Sequence, residues 1–422
     1  MAVKEGYKQT EIGLIPEDWE VKTMSHVTDV RDGTHESPKY HSSGVKFVTS
    51  KNIVNGILDF SEITFISEDD AEHINKRSKV DIDDILMAMI GTIGDAVLID
   101  RTPDFCIKNV ALIKPYKDKI YPKYLYQLVV SNVYQNYIQS KLAGGIQKFI
   151  SLSMLRSLYV VIPPLPEQKA IATALSDIDG LINSLSKLIE KKKKIKQGVM
   201  QELLTGKKRL KGFSGEWVET TLEELCYLVT KQTGFDYSKE IKPSLKVKKD
   251  VDCFPFIQNK DFEGRTINYN TDYYIPKDVA YKYPNILLNE KCLLVSISGR
   301  IGNIGVFDNI QQAFIGGAVG IARFRDKSLI DWVLLYLQSK DGQNQIISKK
   351  KAGAQHNLTV FDVRKLIIPL PRKEEAERIG EIIFSMDTEI EKLQVKLNKY
   401  KAIKQGMMQE LLTGKTRLLE GA

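Results

Sequence analysis

The sequence contains few cysteines and no long hydrophobic run. The four cysteines lie far apart and form no Cys-x-x-Cys pair, which excludes a dense disulfide framework and favours buried free thiols in a reducing compartment. They are Cys106, Cys226, Cys253 and Cys292. The apolar stretch at 158–165 contains prolines and is far too short to cross a bilayer. Residues 1–6 have no apolar segment typical of a secretory signal, so we expect a cytoplasmic protein.

Motifs of catalysis and metal binding are also missing. No Asn/Asp-Pro-Pro-Tyr/Phe tetrapeptide occurs, because Pro163-Pro164 is flanked by Ile162 and Leu165. The segment 414–416 resembles part of a phosphate-binding loop, but it follows a helical pattern and has Gln409 in place of the first glycine. No metal site is expected from the histidines, which have no metal-ligand spacing. They are His26, His35, His41, His73 and His356.

The chain does have length and a modest excess of positive charge. Its 422 residues suffice for two or more domains, each with its own core. There are 61 basic and 53 acidic residues, which gives a formal net charge of +8. This excess is a weak indication of a polyanionic partner such as nucleic acid.

A long internal repeat is the most informative feature of the sequence. The segment 196–207, Lys-Gln-Gly-Val-Met-Gln-Glu-Leu-Leu-Thr-Gly-Lys, returns at 404–415 with one difference, Val199 against Met407. The offset is 208 residues, far longer than the period of solenoid repeats. The repeat therefore predicts two duplicated domains.

The same offset extends through the segments before this motif, where apolar residues alternate at spacings of four and three. Such a pattern, sustained over about five heptads, is typical of a coiled-coil seam. The first series is Ile171, Leu175, Ile178, Ile182, Leu185 and Ile189, and it continues at the same spacing through Lys192, Lys196, Val199 and Leu203. The second is Ile379, Ile383, Met386, Ile390, Leu393 and Leu397, and it continues through Tyr400, Lys404, Met407 and Leu411.

Each predicted helix begins after a Pro-rich segment, at 162–166 or 368–371, and ends at Thr-Gly-Lys, where glycine suits a helix terminus. Roughly 38 residues correspond to about 57 Å of helix. Because the first helix leaves one domain and the second can return, we expect antiparallel pairing. The lysine run at 191–194 is either a solvated helix face or a contact with the DNA backbone.

The globular parts repeat more faintly. Residues 85–94 align with 293–302, and 47–51 align with 256–260. Short β-rich runs broken by glycines, together with one helical stretch in each half, predict α+β domains. The predicted order is a first globular domain at 1–160, a long helix at 161–210, a second globular domain at 211–369 and a second long helix at 370–422, with pseudo-two-fold internal symmetry.

This order resembles the specificity subunit of a type I restriction-modification system. The resemblance covers essentially the whole chain and includes the Gln-Glu-Leu-Leu-Thr-Gly-Lys helix ends. Residues 31–35, Arg-Asp-Gly-Thr-His, and the following Lys51-Asn52-Ile53 resemble one class of target-recognition domain. The start of the second helix departs from the first, since Arg372-Lys373-Glu374-Glu375 replaces Glu167-Gln168-Lys169.

The resemblance implies that each globular domain reads one half of a bipartite, asymmetric site in double-stranded DNA. It implies that the helices set the gap between the halves and dock two methylation subunits, and that two restriction-translocase subunits complete the complex. S-adenosylmethionine, ATP and Mg²⁺ would then be used by the partner subunits, and this chain would be non-catalytic without a cofactor of its own. The alternative is a single-chain DNA methyltransferase or nuclease with an unrecognised active site.

Candidate DNA contacts lie in the glycine-containing loops that occur in both copies, since glycine lets a backbone approach a ligand closely. Each residue could equally be an ordinary exposed loop residue, and Gly91, Gly94, Gly299 and Gly302 could be tight-turn glycines. Arg300 aligns with Thr92, and arginine favours guanine whereas threonine can touch a thymine methyl group. The candidates are Thr34, His35, Lys39, Lys51, Asn52, Thr92, Gln147, Lys148, Asn259, Lys260, Arg300, Gln355, His356 and Asn357.

Overall fold

The computed structural model describes residues 5–142, 149–349 and 357–418. The chain divides into two compact units. Unit 1 comprises Met1–Lys187 and Gln394–Ala422, and unit 2 comprises Leu188–Leu393. Both units combine helices and sheets, which confirms the predicted α+β class.

Unit 1 contains thirteen strands among its described residues. They are β1 (Tyr7–Thr10), β2 (Gly13–Pro16), β3 (Glu20–Thr23), β4 (Thr28–Asp32), β5 (Val45–Val48), β6 (Ile53–Val54), β7 (Ile57–Leu58), β8 (Thr64–Ile66), β9 (Ile85–Ala88), β10 (Ala96–Leu98), β11 (Phe105–Ile107), β12 (Val110–Pro115) and β13 (Tyr159–Ile162). Its short helices are α1 (Met24–Val27), α2 (Glu68–Ser78), α3 (Pro122–Val129), α4 (Asn132–Leu142) and α5 (Leu152–Ser157).

The main sheet of unit 1 is antiparallel, with strand order β10-β9-β12-β4. Its central strands are buried on both faces, so they consist of continuous apolar runs. Ile85 and Met87 belong to a core shared with the helices, whereas Leu86 faces a second core formed with the sheet β11-β5-β8. The sheet therefore separates two hydrophobic cores.

Unit 2 contains twelve strands among its described residues. They are β14 (Val218–Thr221), β15 (Cys226–Lys231), β16 (Cys253–Ile257), β17 (Phe262–Glu263), β18 (Thr266–Ile267), β19 (Tyr274–Pro276), β20 (Leu287–Leu288), β21 (Cys292–Ser296), β22 (Ile304–Phe307), β23 (Ala313–Ile315), β24 (Val319–Phe324) and β25 (Ile367–Leu370). Its short helices are α7 (Leu222–Leu225), α8 (Gly234–Asp236), α9 (Lys242–Ser244), α10 (Lys277–Ala280), α11 (Ile330–Gln338), α12 (Lys340–Ser348) and α13 (Val360–Arg364).

The main sheet of unit 2 repeats that of unit 1. Its order is β15-β24-β21-β22, and it is antiparallel. Leu293 and Val295 belong to the core that includes the helices, while Leu294 faces the core formed with the sheet β19-β16-β23-β20. The duplication read from the sequence thus extends to the placement of individual core side chains.

Two long helices, the sixth and fourteenth in the chain, complete the fold. Helix α6 spans Leu165–Leu203 and helix α14 spans Lys373–Leu411, so both ends differ by the offset of 208. Gly206 and Gly414, just beyond them, have φ values of 68° and 70°, a region that glycine adopts without strain. Helix α6 begins within the Pro-rich segment 162–166 and α14 begins just after 368–371, and both end at a leucine two residues before the Thr-Gly-Lys motif. Among the described helices, none is both long and apolar enough to cross a membrane.

Ion pairs within each unit show that the two helices run antiparallel. In unit 1, Lys404 Nζ lies 2.7 Å from Asp179 Oδ1. In unit 2, Lys196 Nζ lies 2.5 Å from Asp387 Oδ1, and Lys192 Nζ lies 2.8 Å from Glu389 Oε1. Antiparallel pairing is thus confirmed, and Lys192, a member of the lysine run, faces the partner helix.

The predicted seam is buried unevenly. Ile171 and Leu175 of α6 are fully buried in the core of unit 1, and Ile379 and Ile383 of α14 are fully buried in the core of unit 2. Ile182 and Leu185 in the middle of α6 are only half-buried. The last turns are also part of the cores, since Leu203 of α6 belongs to the core of unit 2 and Leu411 of α14 to the core of unit 1. The coiled-coil seam proper is therefore confined to the middle turns of each helix.

A buried glutamate anchors the first turn of α6. Glu167 is 2 % exposed. Arg417 Nε donates to Glu167 Oε1 at 2.8 Å, and the indole N–H of Trp19 donates to Oε2 at 3.0 Å. Arg417 also forms two hydrogen bonds with Asp18, at 2.9 and 2.7 Å.

The same cluster recurs in unit 2 at the start of α14. Glu375 is 0 % exposed and accepts hydrogen bonds from Arg209, at 2.7 and 2.6 Å, and from the Trp217 indole at 3.3 Å. Glu375 thus occupies the place of Glu167, at the offset of 208. The sequences at the two helix starts differ, but a glutamate is present at this position in both.

A second polar cluster lies where β21 and β15 begin. Arg323 donates to Glu290 Oε1 at 2.6 Å, and Lys327 Nζ lies 2.7 Å from Glu290 Oε2. Burial acts to raise the pKa of Glu290, but the hydrogen bonds from Lys327, Tyr227 and Arg323 outweigh it and lower the pKa to about 2. Glu290 is therefore held as a carboxylate in unit 2.

Candidate nucleic-acid interface

Loops of unit 1 that contain candidate DNA contacts lie together at one end of its main sheet. In the register of the sheet, Asp32 at the end of β4 pairs with Ala111, and Ala88 at the end of β9 pairs with Val110. Because the strands are antiparallel, the loops after β4 and β9 and the residues before β12 and β10 meet at that end. We call the loops 33–44, 89–95 and 108–109 the loop end of unit 1.

The register of unit 2 produces the same arrangement. Lys231 at the end of β15 pairs with Gly320, and Ser296 at the end of β21 pairs with Val319. The loops 232–252, 297–303 and 316–318 therefore form the loop end of unit 2.

A glycine turn at each loop end is held rigidly. In unit 1, Gly91 and Gly94 have φ values of 78° and 93°. Gln135 of α4 donates to the Gly94 carbonyl at 2.9 Å, and a Cβ on Gly94 would lie only 2.2 Å from its Oε1. Tight geometry and positive φ thus require these glycines, and the turn presents the exposed Thr92 at its tip.

The turn of unit 2 has the same construction. Gly299 and Gly302 have φ values of 69° and 90°. Gln343 of α12 donates to the Gly302 carbonyl at 2.9 Å, just as Gln135 donates to the Gly94 carbonyl in unit 1. The exposed residue at the tip is Arg300. The scaffold of the turn is shared, and only the presented side chain differs.

A second pair of turns follows β5 and β16, and each is closed by a buried polar residue. Asn52, 8 % exposed, accepts from the backbone N–H of Thr49 at 2.9 Å and donates to the Asp59 carbonyl at 3.0 Å. Asp261, 7 % exposed, accepts from the N–H of Gln258 at 2.7 Å. The structure thus gives the Asn52 side chain a role in the turn, and a DNA contact there stays a prediction.

The exposed residue of each turn is a lysine. Lys51 is exposed, and the Ser50 hydroxyl donates to the Asn109 carbonyl at 3.1 Å, which ties this turn to the loop end. Lys260 is exposed and forms an ion pair with Asp272, whose hydrogen bond raises the pKa of the lysine. Both lysine side chains are accessible to a polyanion.

The loop after β4 holds Thr34, His35 and Lys39. His35 is exposed, yet both its ring nitrogens are engaged: Nδ1 lies 2.7 Å from Asn109 Oδ1 and Nε2 lies 2.6 Å from Asp32 Oδ2. Thr34 accepts from the N–H of Glu36 at 3.1 Å, and Lys39 is exposed. His35 is thus fixed in orientation at the loop end.

The remaining candidates divide into two groups. Asn259 donates to the Ser298 carbonyl at 2.7 Å and so joins its turn to the Arg300 loop. Asn357 is exposed beside Leu358, whose N–H donates to the Ile297 carbonyl at 2.9 Å. Four candidates lie outside the described residues: Gln147, Lys148, Gln355 and His356.

Comparison with known proteins identifies the family. A family model described as the type I restriction modification DNA specificity domain matches residues 16–197 and again residues 214–399. The chain belongs to this family. The resemblance stated from the sequence is therefore confirmed, and each unit contains most of one specificity domain.

Proteins that are similar to this chain over nearly its whole length are named as type I restriction enzyme specificity subunits. The protein named as the MjaX type I restriction enzyme specificity subunit of Methanocaldococcus jannaschii is 28% identical over 432 residues, which cover 98% of this chain and 97% of that protein. The MjaVIII specificity subunit of the same organism is 26% identical over 437 residues, covering 98% and 97%. The EcoBI specificity subunit of Escherichia coli is 23% identical over 418 residues, covering 92% and 84%.

Solved structures confirm the fold of the specificity domains and long helices. A chain from a study of complex assembly and conformational transition in a type I restriction-modification system superimposes with a TM-score of 0.60 at 18% identity, covering 95% of this chain and 99% of that chain. The S subunit from M. genitalium gives a TM-score of 0.58 at 16% identity, covering 97% and 98%.

The structure also adds residues to the loop end that sequence analysis missed. The connection after β4 spans 33–44, whereas the equivalent connection of the second specificity domain spans 232–252. This longer connection carries five exposed lysines, Lys239, Lys242, Lys246, Lys248 and Lys249. Their signal in the sequence is their position directly after a strand that ends at the loop end.

Proposed function

We propose that each specificity domain reads one half of a bipartite, asymmetric DNA site through its loop end. The observation that carries the proposal is the glycine turn, which is closed by the same glutamine-to-glycine hydrogen bond in both units but presents Thr92 in one and Arg300 in the other. Base-edge readout depends on the chemical type of the presented side chain and on a fixed position. One scaffold with two different tips suits two different half-sites.

The chemistry of these tips differs in the way that sequence readout requires. An arginine forks two donors toward the O6 and N7 acceptors of guanine, whereas a threonine methyl group packs against the thymine methyl group. The exposed Lys51 and Lys260 would contact phosphates, which adds affinity without sequence preference. Arg300 therefore supports the proposal of a guanine contact in the half-site of unit 2.

Two equivalent grooves support the docking of two methylation subunits. In unit 1, a groove of about 430 Å³ lies between α4 and α14 and is lined by Asn132, Gln405 and Met408. In unit 2, a groove of about 410 Å³ lies between α12 and α6 and is lined by Lys340, Gln197 and Met200. Each pair of positions differs by the offset of 208, so the same kind of surface is offered twice.

The rest of the complex follows from the family. Two restriction-translocase subunits would join for cleavage, and the partner subunits would use S-adenosylmethionine, ATP and Mg²⁺, while this chain catalyses nothing itself. The two long helices, each shared between the units, would set the gap between the half-sites. Such a complex would act on DNA in the cytoplasm.

The test is to select bound sequences from a randomised DNA pool with the full-length chain and its methylation subunit. Arg300→Ala should relax base preference in one half-site, and Thr92→Ala, the matched control, should affect only the other half-site. A base contact contributes about 1–3 kcal/mol of discrimination. Equal weakening of binding to all sequences by Arg300→Ala would show a phosphate contact instead.

The competing function is a single-chain methyltransferase or nuclease. The purified chain, incubated with DNA, Mg²⁺ and S-adenosylmethionine, should neither methylate nor cut, and methylation should require the methylation subunit. Turnover by the pure chain would overturn the proposal.

A further inference from the structure

One side chain at the loop end of unit 2 is buried without a partner. Gln232 is 3 % exposed, and neither its Nε2 nor its Oε1 has a hydrogen-bond partner among the residues that the structure describes. Burying an amide without hydrogen bonds costs free energy, so such groups are rare in folded proteins. A functional role is one explanation for a group of this kind.

The position of Gln232 relates it to the Arg300 turn. It follows Lys231, the last residue of β15, directly. A Cβ on Gly317 would lie 3.4 Å from its Oε1, so the amide faces the loop 316–318. The Ile297 N–H donates to the Ala318 carbonyl at 2.9 Å, which connects this loop to the one that carries Arg300.

Unit 1 has no counterpart to this amide. Asp32 pairs with Ala111 in the main sheet of unit 1, and Lys231 pairs with Gly320 at the equivalent place in unit 2. The residue that follows Asp32, Gly33, therefore occupies the position of Gln232. A Cβ on Gly33 would lie 2.3 Å from the Ile107 carbonyl oxygen, so no side chain fits there. The buried amide is therefore a feature of one specificity domain and not of the shared scaffold.

We propose that Gln232 is a specificity-determining residue that reads an adenine in the half-site of unit 2. This inference rests on the proposed function. A glutamine amide offers one donor face and one acceptor, which match N7 and the N6 amino group of adenine in the major groove. In the free protein the amide is covered, and the two consecutive glycines at 316 and 317 give the adjoining loop the freedom to move aside on DNA.

The experiment uses the full-length chain with its methylation subunit and the randomised pool. Gln232→Leu keeps the bulk of the side chain and removes both polar atoms. It should reduce preference for adenine at one position by roughly 5- to 150-fold, in the half-site that Arg300→Ala also affects. The other half-site should be unchanged, and urea unfolding should show no loss of stability, because an unpartnered amide has been removed.

Gln311→Leu is the matched control, since Gln311 is exposed beyond the end of β22, away from the loop end. If Gln232→Leu does not fold, Gln232→Asn, which shortens the side chain, should alter the same single position. Unchanged preference in the folded variants, or a uniform loss of binding, would overturn the inference. If the unmodified complex selects no bipartite sequence, the proposed function itself fails.

Discussion

Arg417→Ala removes the cation that pairs with the buried Glu167 in unit 1. Arg417 makes two 2.8 Å hydrogen bonds to the two oxygens of Glu167, which is 2 % exposed. Without it, the donors that the carboxylate keeps among the described residues are the Trp19 indole and the Leu418 N–H, at 3.0 and 3.2 Å. The variant therefore leaves a buried charge without a counter-ion.

The expected cost follows from the burial of the two partners. Breaking a buried ion pair by removing one member typically costs about 3–5 kcal/mol. Because two donors remain on Glu167, we expect about 3 kcal/mol. The pair of Arg417 with Asp18 is exposed on the Asp18 side and adds less than about 1 kcal/mol. The total is a large part of the roughly 5–15 kcal/mol that stabilises a domain.

Urea unfolding of the full-length chain is the assay, with Arg209→Ala as the equivalent change in unit 2. Each variant should lower the unfolding midpoint of its own unit, since Arg209 makes the same two hydrogen bonds to Glu375. Asp18→Asn is the control and should cost less than about 1 kcal/mol. The reasoning fails if Arg417→Ala is no more destabilising than Asp18→Asn.

Three further predictions concern pH, assembly and DNA spacing. The folded pKa of Glu290, about 2, lies below its ordinary value of 4.5, so its stabilising contribution is complete above about pH 4.5 and is lost as the pH falls toward 2. Glu290→Gln should therefore flatten the loss of stability with acid, measured by urea midpoints from pH 6 to 3, and an unchanged slope would contradict this. Gln405→Arg and Gln197→Arg should each displace one of two methylation subunits in native mass spectrometry, and a complex of two that survives both changes would rule out the grooves. Lengthening both long helices by one heptad adds about 10.5 Å, or roughly three base pairs, and the unread gap in selected sites should grow accordingly. An unchanged gap with a folded, active protein would exclude a spacer role for the helices.

The helices could be predicted closely from sequence because their signals are local and repeated. The four-three spacing, the prolines before 165 and the glycines at 206 and 414 fix both ends, and the offset of 208 supplies each prediction twice. Burial of Ile171 in a globular core, and not only in the helix seam, was not predictable, because the same apolar residue satisfies either environment.

The candidate site was predictable only in outline. Sequence alignment found the Thr92 and Arg300 turns because glycines mark them in both copies. It could not distinguish Asn52 from a base-reading residue, since the same amide can close a turn or face DNA, and only the hydrogen bonds to Thr49 and Asp59 show the former. The sequence did not predict a role for Gln232, because its position at the loop end is defined by the register of β15 with β24 and not by a motif.

Sequencing of methylated bases across the source genome, with and without the gene for this chain, tests the central claim most directly. The account predicts a methylated motif of two different short half-sites separated by a fixed run of unspecified bases, present only when the chain is present. Restoring the gene with Arg300→Ala should relax one half-site and leave the other intact. A short continuous motif, or methylation that persists unchanged without the gene, would contradict the account.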